Sequence, residues 1–243
     1  MKRQKRREFI EDDSIVGREK SKELKKQESK VLTEKIFKML DEEQKEVKKT
    51  IVENDITVLY GKAESGKSFL ACYIALEMFN NKQVDKIIIT RPTVSDEDLG
   101  FPPGFLEDKL QPWLQPLYEN MNDIFGKSRV DTMMKLNQLQ IAPISFCRGR
   151  TFCDSFVIVD ETQNLTVKQT KMMLTRIGVG SKMVLTGDIS QCDLKKKSDC
   201  GLEVVLNFQI KNFACKEMFT NHRLPIVDDI LGCFDKYETV CKK

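Results

Sequence analysis

The chain has 243 residues, 40% hydrophobic and 32% charged, which is enough apolar material for one large domain and an arm. Its net charge of +3 conceals an asymmetry: residues 1–50 hold 16 Lys/Arg against 12 Asp/Glu and the remainder 24 against 25, so the positive excess belongs to the first fifth. No apolar run approaches the roughly 18 residues of a membrane helix, the charged N-terminus lacks the apolar stretch of a secretory signal, and eight cysteines with a single histidine, His222, form no Cys-x-x-Cys that would suggest a zinc cluster.

The first seven residues, MKRQKRR, carry five basic side chains. They read either as a solvated tail or as an arm that touches nucleic acid. We assign this charged arm to residues 1–30 and the main domain to 31–243. From Val31, the residues Leu32, Ile36, Met39, Leu40 and Val47 recur near helical spacing, which predicts an amphipathic helix packed on that domain.

The stretch Ile56 to Ser68, ITVLYGKAESGKS, organises the rest. A β-branched run over 56–60 predicts a buried strand. Gly61-Lys62-Ala63-Glu64-Ser65-Gly66-Lys67-Ser68 then fits G-x-x-x-x-G-K-[ST], and a helix is predicted over 69–80, with Leu70, Ile74 and Met78 on its apolar face. A strand, a glycine loop and a helix in this order make a phosphate cradle, because backbone N–H groups at the helix start converge with partial positive charge. Gly61 to Ser68 and the adjoining Phe69 are the candidate nucleotide ligands. Lys67 is expected to reach the β- and γ-phosphates and the Ser68 hydroxyl to hold Mg²⁺.

Further apolar runs at 86–90, 139–144, 155–160, 182–186 and 214–219 predict strands. Between them lie an irregular segment over 93–105, a region over 106–125 that reads mainly as helix with breaks near Pro112 and Pro116, a helix over 166–176 capped by Thr166, a short helix over 201–208 and a last helix from 226 to about 237. The strands are near-continuous apolar runs alternating with helices, so the expected fold is α/β, with a mostly parallel sheet covered on both faces. SFVIVD ends in Asp160, followed by Glu161. Behind a phosphate loop, an acid at that place holds Mg²⁺, and a second carboxylate can orient or deprotonate the attacking water. The cysteines read as small core and surface residues, with thiols reduced in a cytosolic setting.

Ten stretches bear on family: Gln44, GKAESGKSFLA (61–71), ITRPTV (89–94), LGFPPG (99–104), KLQPWLQPLY (109–118), RGRTF (148–152), VIVDETQN (157–164), LTRIGVGSKMVLTGDISQCDL (174–194), DCGL (199–202) and NHRLPIV (221–227). In this order they resemble the PhoH family of phosphate-loop ATPases, whose RecA-like core is related to superfamily 1 helicase motors. Glu64-Ser65 stands where the family usually has Gly-Thr, Lys62 where Pro is common, and LGFPPG where LGFLPG is more usual. The resemblance implies that Gln44 reads adenine and that Gln191 senses the γ-phosphate. It makes Arg176 and Arg223 candidates for an arginine finger. It further implies a ring-forming homo-oligomer of the short type common among bacteriophages, and so a location in the host cytoplasm.

The function expected is Mg²⁺-dependent ATP hydrolysis coupled to RNA or single-stranded DNA, with the basic arm and Arg91, Arg148 and Arg150 as candidate phosphate contacts. One alternative is a nucleotide-gated scaffold with negligible turnover. Another is a small-molecule kinase, against which the water-orienting Glu161 speaks.

Overall fold

The computed structural model describes residues 40–62, 65–92 and 106–220, with isolated positions between 226 and 237. The chain divides between Glu42 and Glu43 into two units, and the second, 43–243, carries the sheet. The arm over 1–30, the segment 93–105, loop residues Ala63 and Glu64, and the stretch 221–225 with Arg223 lie outside the described residues.

Six strands, β1 (Ile56–Tyr60), β2 (Lys86–Arg91), β3 (Leu139–Pro143), β4 (Ser155–Val159), β5 (Lys182–Gly187) and β6 (Phe213–Glu217), form one sheet in the order β3-β2-β4-β5-β1-β6. Every neighbouring pair is parallel. This is the α/β architecture with a parallel sheet that the sequence predicts. A parallel sheet needs crossovers that cover its faces, which is why its central strands are apolar on both sides. β4 is the limiting case, with all five residues buried.

Register fixes which side chains share a face. Val157 pairs with Met183, Val159 with Leu185, and Leu185 in turn with Val58. These five join Met173 of α5 (Val167–Leu174) and Leu202 and Val205 of α6 (Gly201–Val205) in one buried cluster. Alternation sends Ile87, Ile89, Phe156, Ile158 and Val184 to the opposite face. There, α2 (Lys67–Asn80) packs against β2, β4 and β5, and α3 (Leu106–Phe125) and α4 (Lys127–Lys135) pack against β3. α1 (Glu42–Glu53) precedes β1 and buries Gln44, Val47 and Ile51.

Several element boundaries differ from expectation. α3 is one continuous helix through Pro112 and Pro116. Proline's fixed φ is helical, and four-residue spacing puts both missing donors on one stripe of the cylinder, so the helix loses bonds there without ending. α2 begins at Lys67 rather than Phe69, because Gly66 in the left-handed region (φ 78°) starts the helix immediately after the loop. α5 stops at Leu174 and α6 at Val205, each shorter than the predicted helix. α4 was not foreseen, although Val130 and Met133 give it a buried face. β3 closes at Pro143 and runs into a 3₁₀ turn, Ile144–Cys147, where a longer strand was expected. The start of α5 follows prediction in detail: the Thr166 hydroxyl accepts from the Gln169 N–H while the Gln169 side chain accepts from the Thr166 N–H.

Candidate nucleotide-binding and hydrolysis site

All strands run the same way, so the segments that follow β1, β4 and β5 emerge at one edge of the sheet. β5 lies between β1 and β4 and therefore spaces the glycine loop from Asp160. Ligands of open α/β sheets bind at this carboxyl edge.

The loop leaves β1 at Gly61 with φ 140°, and a Cβ there would sit 2.3 Å from the Met218 carbonyl oxygen. Only glycine fits so close a backbone crossing. Lys67, the first residue of α2, is buried. Its ammonium turns into the loop and donates to the carbonyl oxygens of Gly61 (2.9 Å) and Lys62 (2.6 Å) and to Ser65 Oγ (3.0 Å). The two described ends of the loop thus meet at a positive charge.

Beside it, Ser68 Oγ donates to Asp160 Oδ1 (2.6 Å), and Thr186 Oγ1 donates to the same oxygen (2.6 Å). Residues from α2, the end of β4 and β5 thereby place three hard oxygen donors together, the donor chemistry that suits Mg²⁺. Cys72, one turn along α2, is buried; burial first and then the charge of Asp160 push its thiol pKa up, so it stays neutral.

Glu161 sits one residue beyond Asp160, in the left-handed region at φ 54°, ψ 41°. Few non-glycine residues adopt that conformation, and such strain gathers at functional positions. The Glu161 side chain lies at the edge, 30% exposed. Arg91 Nη2, at the end of β2, lies 3.1 Å from Glu161 Oε1, and the Gln163 side-chain amide donates to Glu161 Oε2. Gln163 is itself 1% exposed, and its Oε1 accepts from the Asp188 N–H just past β5. Asp188 in turn accepts from the N–H and hydroxyl of Ser190 (2.9 and 2.6 Å).

The predicted site residues therefore separate. Gly61, Lys62, Ser65, Gly66, Lys67, Ser68, Asp160 and Glu161 share the carboxyl edge. Phe69 is half exposed on the first turn of α2. Gln44 joins that edge from α1: the neighbouring Glu43 accepts from the N–H groups of Phe219 and Thr220, and Met218 donates to the Tyr60 carbonyl, so the start of α1, the end of β6 and the mouth of the loop adjoin. Burial works to raise the Glu43 pKa, but donors from Thr220 and Phe219 together with the charge of Lys216 outweigh it and hold the carboxyl below its usual value. Gln191 lies on the 3₁₀ turn Ile189–Gln191 at the same edge with its side chain exposed.

Arg176 does not join them. Its carbonyl accepts from the Phe152 N–H (2.8 Å), three residues before β4 begins, and its guanidinium turns back to the Met172 carbonyl and Thr175 Oγ1. It is thus at the amino edge, about 16 Å away along a five-residue strand. Three residues at the carboxyl edge were given no role in this site from sequence: Gln163, Thr186 and Arg91. Gln163 and Thr186 are polar residues at or just past the carboxyl ends of buried strands, a signal that could have found them. The Arg91–Glu161 pair spans 70 positions and leaves no local trace.

The family model for PhoH-like proteins matches residues 36–228. The PhoH-like protein of Bacillus subtilis is 40% identical over 198 residues, 79% of this chain and 62% of that protein. The PhoH-like protein of Synechocystis is 43% identical over 162 residues, 66% of this chain and 49% of its own, and Protein PhoH of Escherichia coli is 38% identical over 65% of this chain and 46% of its own. The chain thus spans about half to three-fifths of the length of these relatives. Among solved structures, the Pyrococcus furiosus Hef helicase domain aligns with a TM-score of 0.45 at 13% identity, over 73% of this chain and 38% of that one. The Pif1 helicase of Candida albicans aligns at 0.39 and 15%, over 74% and 40%. Likenesses at that level carry no functional argument.

Proposed function

The chain belongs to the PhoH-like family, and from that premise we propose that it is a Mg²⁺-dependent ATPase whose hydrolysis is coupled to binding or remodelling of RNA or single-stranded DNA. The observation that carries this reading is the convergence, at one sheet edge, of the Lys67 ammonium, the Ser68–Asp160–Thr186 oxygens and the Glu161 carboxylate.

In this reading Lys67 gives up its loop carbonyls to neutralise phosphate oxygens, and the loop backbone supports the rest of the polyphosphate. Ser68 and Asp160 hold the divalent ion, with Thr186 orienting Asp160. Bound there, Mg²⁺ supplies positive charge to the reacting phosphoryl group. Glu161 orients the attacking water and accepts its proton. The buried amide of Gln44 reads the adenine edge, and Gln191 reports nucleotide state from the end of β5. Arg176, at the far edge, serves as an arginine finger only for a neighbouring subunit, which favours a head-to-tail ring; Arg223 is the other candidate. A cytosolic location belongs to the same proposal. Among the described residues no helix is long and apolar enough to cross a membrane.

One observation favours the scaffold alternative at rest: both oxygens of Glu161 already accept hydrogen bonds within the protein, from Arg91 and Gln163. Phosphate release measured with and without poly(U) and oligo(dT) separates the readings. Stimulation supports the ATPase coupled to polynucleotide. ATP binding without release under every condition supports the scaffold, and release only with an added metabolite supports a kinase.

A further inference from the structure

The two groups that hold Glu161 are not equivalent. Gln163 is locked: it is 1% exposed, it also receives the Asp188 N–H, and its Oε1 lies 2.9 Å from where a Cβ on Gly187 would stand, so it has no room to leave β5. Arg91 is at the end of an inner strand, and its side chain is 26% exposed against 30% for Glu161. A part-exposed ion pair of this kind can be exchanged for another anion. A guanidinium exchanges well onto a phosphate, which it binds through two parallel hydrogen bonds.

The surroundings of Arg91 indicate which anion. Arg91 pairs with Pro143 at the end of β3, and the turn that follows carries Phe146, 48% exposed, and then the exposed Arg148. Two arginines and an exposed aromatic residue at the ends of neighbouring strands suit a single-stranded polynucleotide, whose backbone takes the cations and whose bases stack.

We propose that Arg91 is a latch on Glu161 that a backbone phosphate of single-stranded nucleic acid opens, with Gln163 as the fixed positioning residue that keeps the freed carboxylate aimed along the site. Without polynucleotide, Arg91 holds Glu161 Oε1 and damps hydrolysis. With it, Arg91 turns to phosphate and Glu161 Oε1 becomes free to take the attacking water as its hydrogen-bond partner. This inference rests on the ATPase reading and adds to it the physical step by which polynucleotide raises turnover.

The test is steady-state phosphate release by the parent, Arg91→Ala and Arg91→Lys, each alone and with poly(U) or oligo(dT), with Lys67→Ala as control. Thermal melting establishes that each variant is folded. Arg91→Ala is expected to hydrolyse ATP about two- to fivefold faster than the parent without polynucleotide, the range of a part-exposed ion pair, with KM for ATP unchanged and little further gain from either polymer. Arg91→Lys keeps a charge but not the fork, so its unstimulated rate falls between the two. A folded Arg91→Ala no faster than the parent, or one stimulated as strongly as the parent, overturns the latch. In either case, parent activity that vanishes in Lys67→Ala leaves the ATPase reading standing. Absence of release from the parent and from Arg91→Ala, with and without polymer, overturns both.

Discussion

The two edges of the sheet are bonded in different ways. At the amino edge, the buried polar groups secure backbone, while at its surface the exposed Asp55 pairs with Lys182 (3.6 Å) and accepts from Asn212 (3.0 Å). Ser181 Oγ donates to the Phe152 carbonyl (2.8 Å) and accepts from the Ser155 N–H (3.0 Å), and the N–H groups of Asp85 and Asp154 bond to the carbonyls of Asp154 and Val179. At the carboxyl edge, the bonds run between side chains distant in sequence: Ser68 to Asp160 across 92 positions, Arg91 to Glu161 across 70, Thr186 to Asp160 across 26. A backbone staple closes a strand end and leaves nothing exchangeable. Side-chain bonds among hydroxyls, carboxylates and cations can be traded for bonds to a ligand. The buried part of the amino edge is built to hold, and the carboxyl edge to be rearranged.

Substitutions at the two edges should therefore fail in different ways. The largest effect is expected from Lys67→Ala. It removes the cation from the loop, and ATP hydrolysis should fall by about a hundredfold or more, with much weaker nucleotide binding in an equilibrium titration. Asp160→Asn should come next: ATP affinity should lose its dependence on Mg²⁺, because Ser68 and Thr186 no longer meet a charged oxygen. If ATP affinity in that variant still rises with Mg²⁺ as in the parent, the cation site lies elsewhere.

Arg176→Ala tests whether the far edge serves a neighbour. Turnover should drop more than ATP affinity, and mixing the variant with Lys67→Ala should restore part of the activity, since each subunit completes the other's site. The absence of rescue, with a fully active monomer by light scattering, would exclude a shared site.

Ser181→Ala should give the smallest functional effect and so mark the contrast most clearly. Removing a buried hydroxyl that serves both a carbonyl and an N–H should cost about 1–3 kcal/mol of stability in denaturant unfolding. ATP affinity per folded molecule should stay at the parent value, and a loss of affinity without a loss of stability would mean that the edges are not independent.

Sequence made the carboxyl edge legible only in part. The phosphate loop and the Asp160-Glu161 pair could be read because each is local: a buried strand must end, and a charged residue at its last position has only the edge to go to. The order of the strands could not be read, because no local signal says that β5 inserts between β1 and β4. For the same reason Thr186 was read as the end of a core strand and not as a partner of Asp160. Arg91 was read as a phosphate contact, and its ion pair with Glu161 could not be anticipated because it depends on β2 and β4 being neighbours in register, Thr90 against Val159. The continuous α3 shows the converse: a strong local breaker signal at Pro112 and Pro116 yields when the rest of an amphipathic helix supports the turn.

The central claim is that Glu161 performs hydrolysis at a site that the loop and Asp160 assemble. Its most direct test is single-turnover phosphate release by Glu161→Gln beside the parent, with ATP binding measured on the same samples. The glutamine keeps the size and hydrogen bonding of the side chain but cannot take a proton. The account predicts ATP affinity close to that of the parent with release slowed by about a hundredfold or more. Release at the parent rate would contradict it and assign the water-orienting role to another residue.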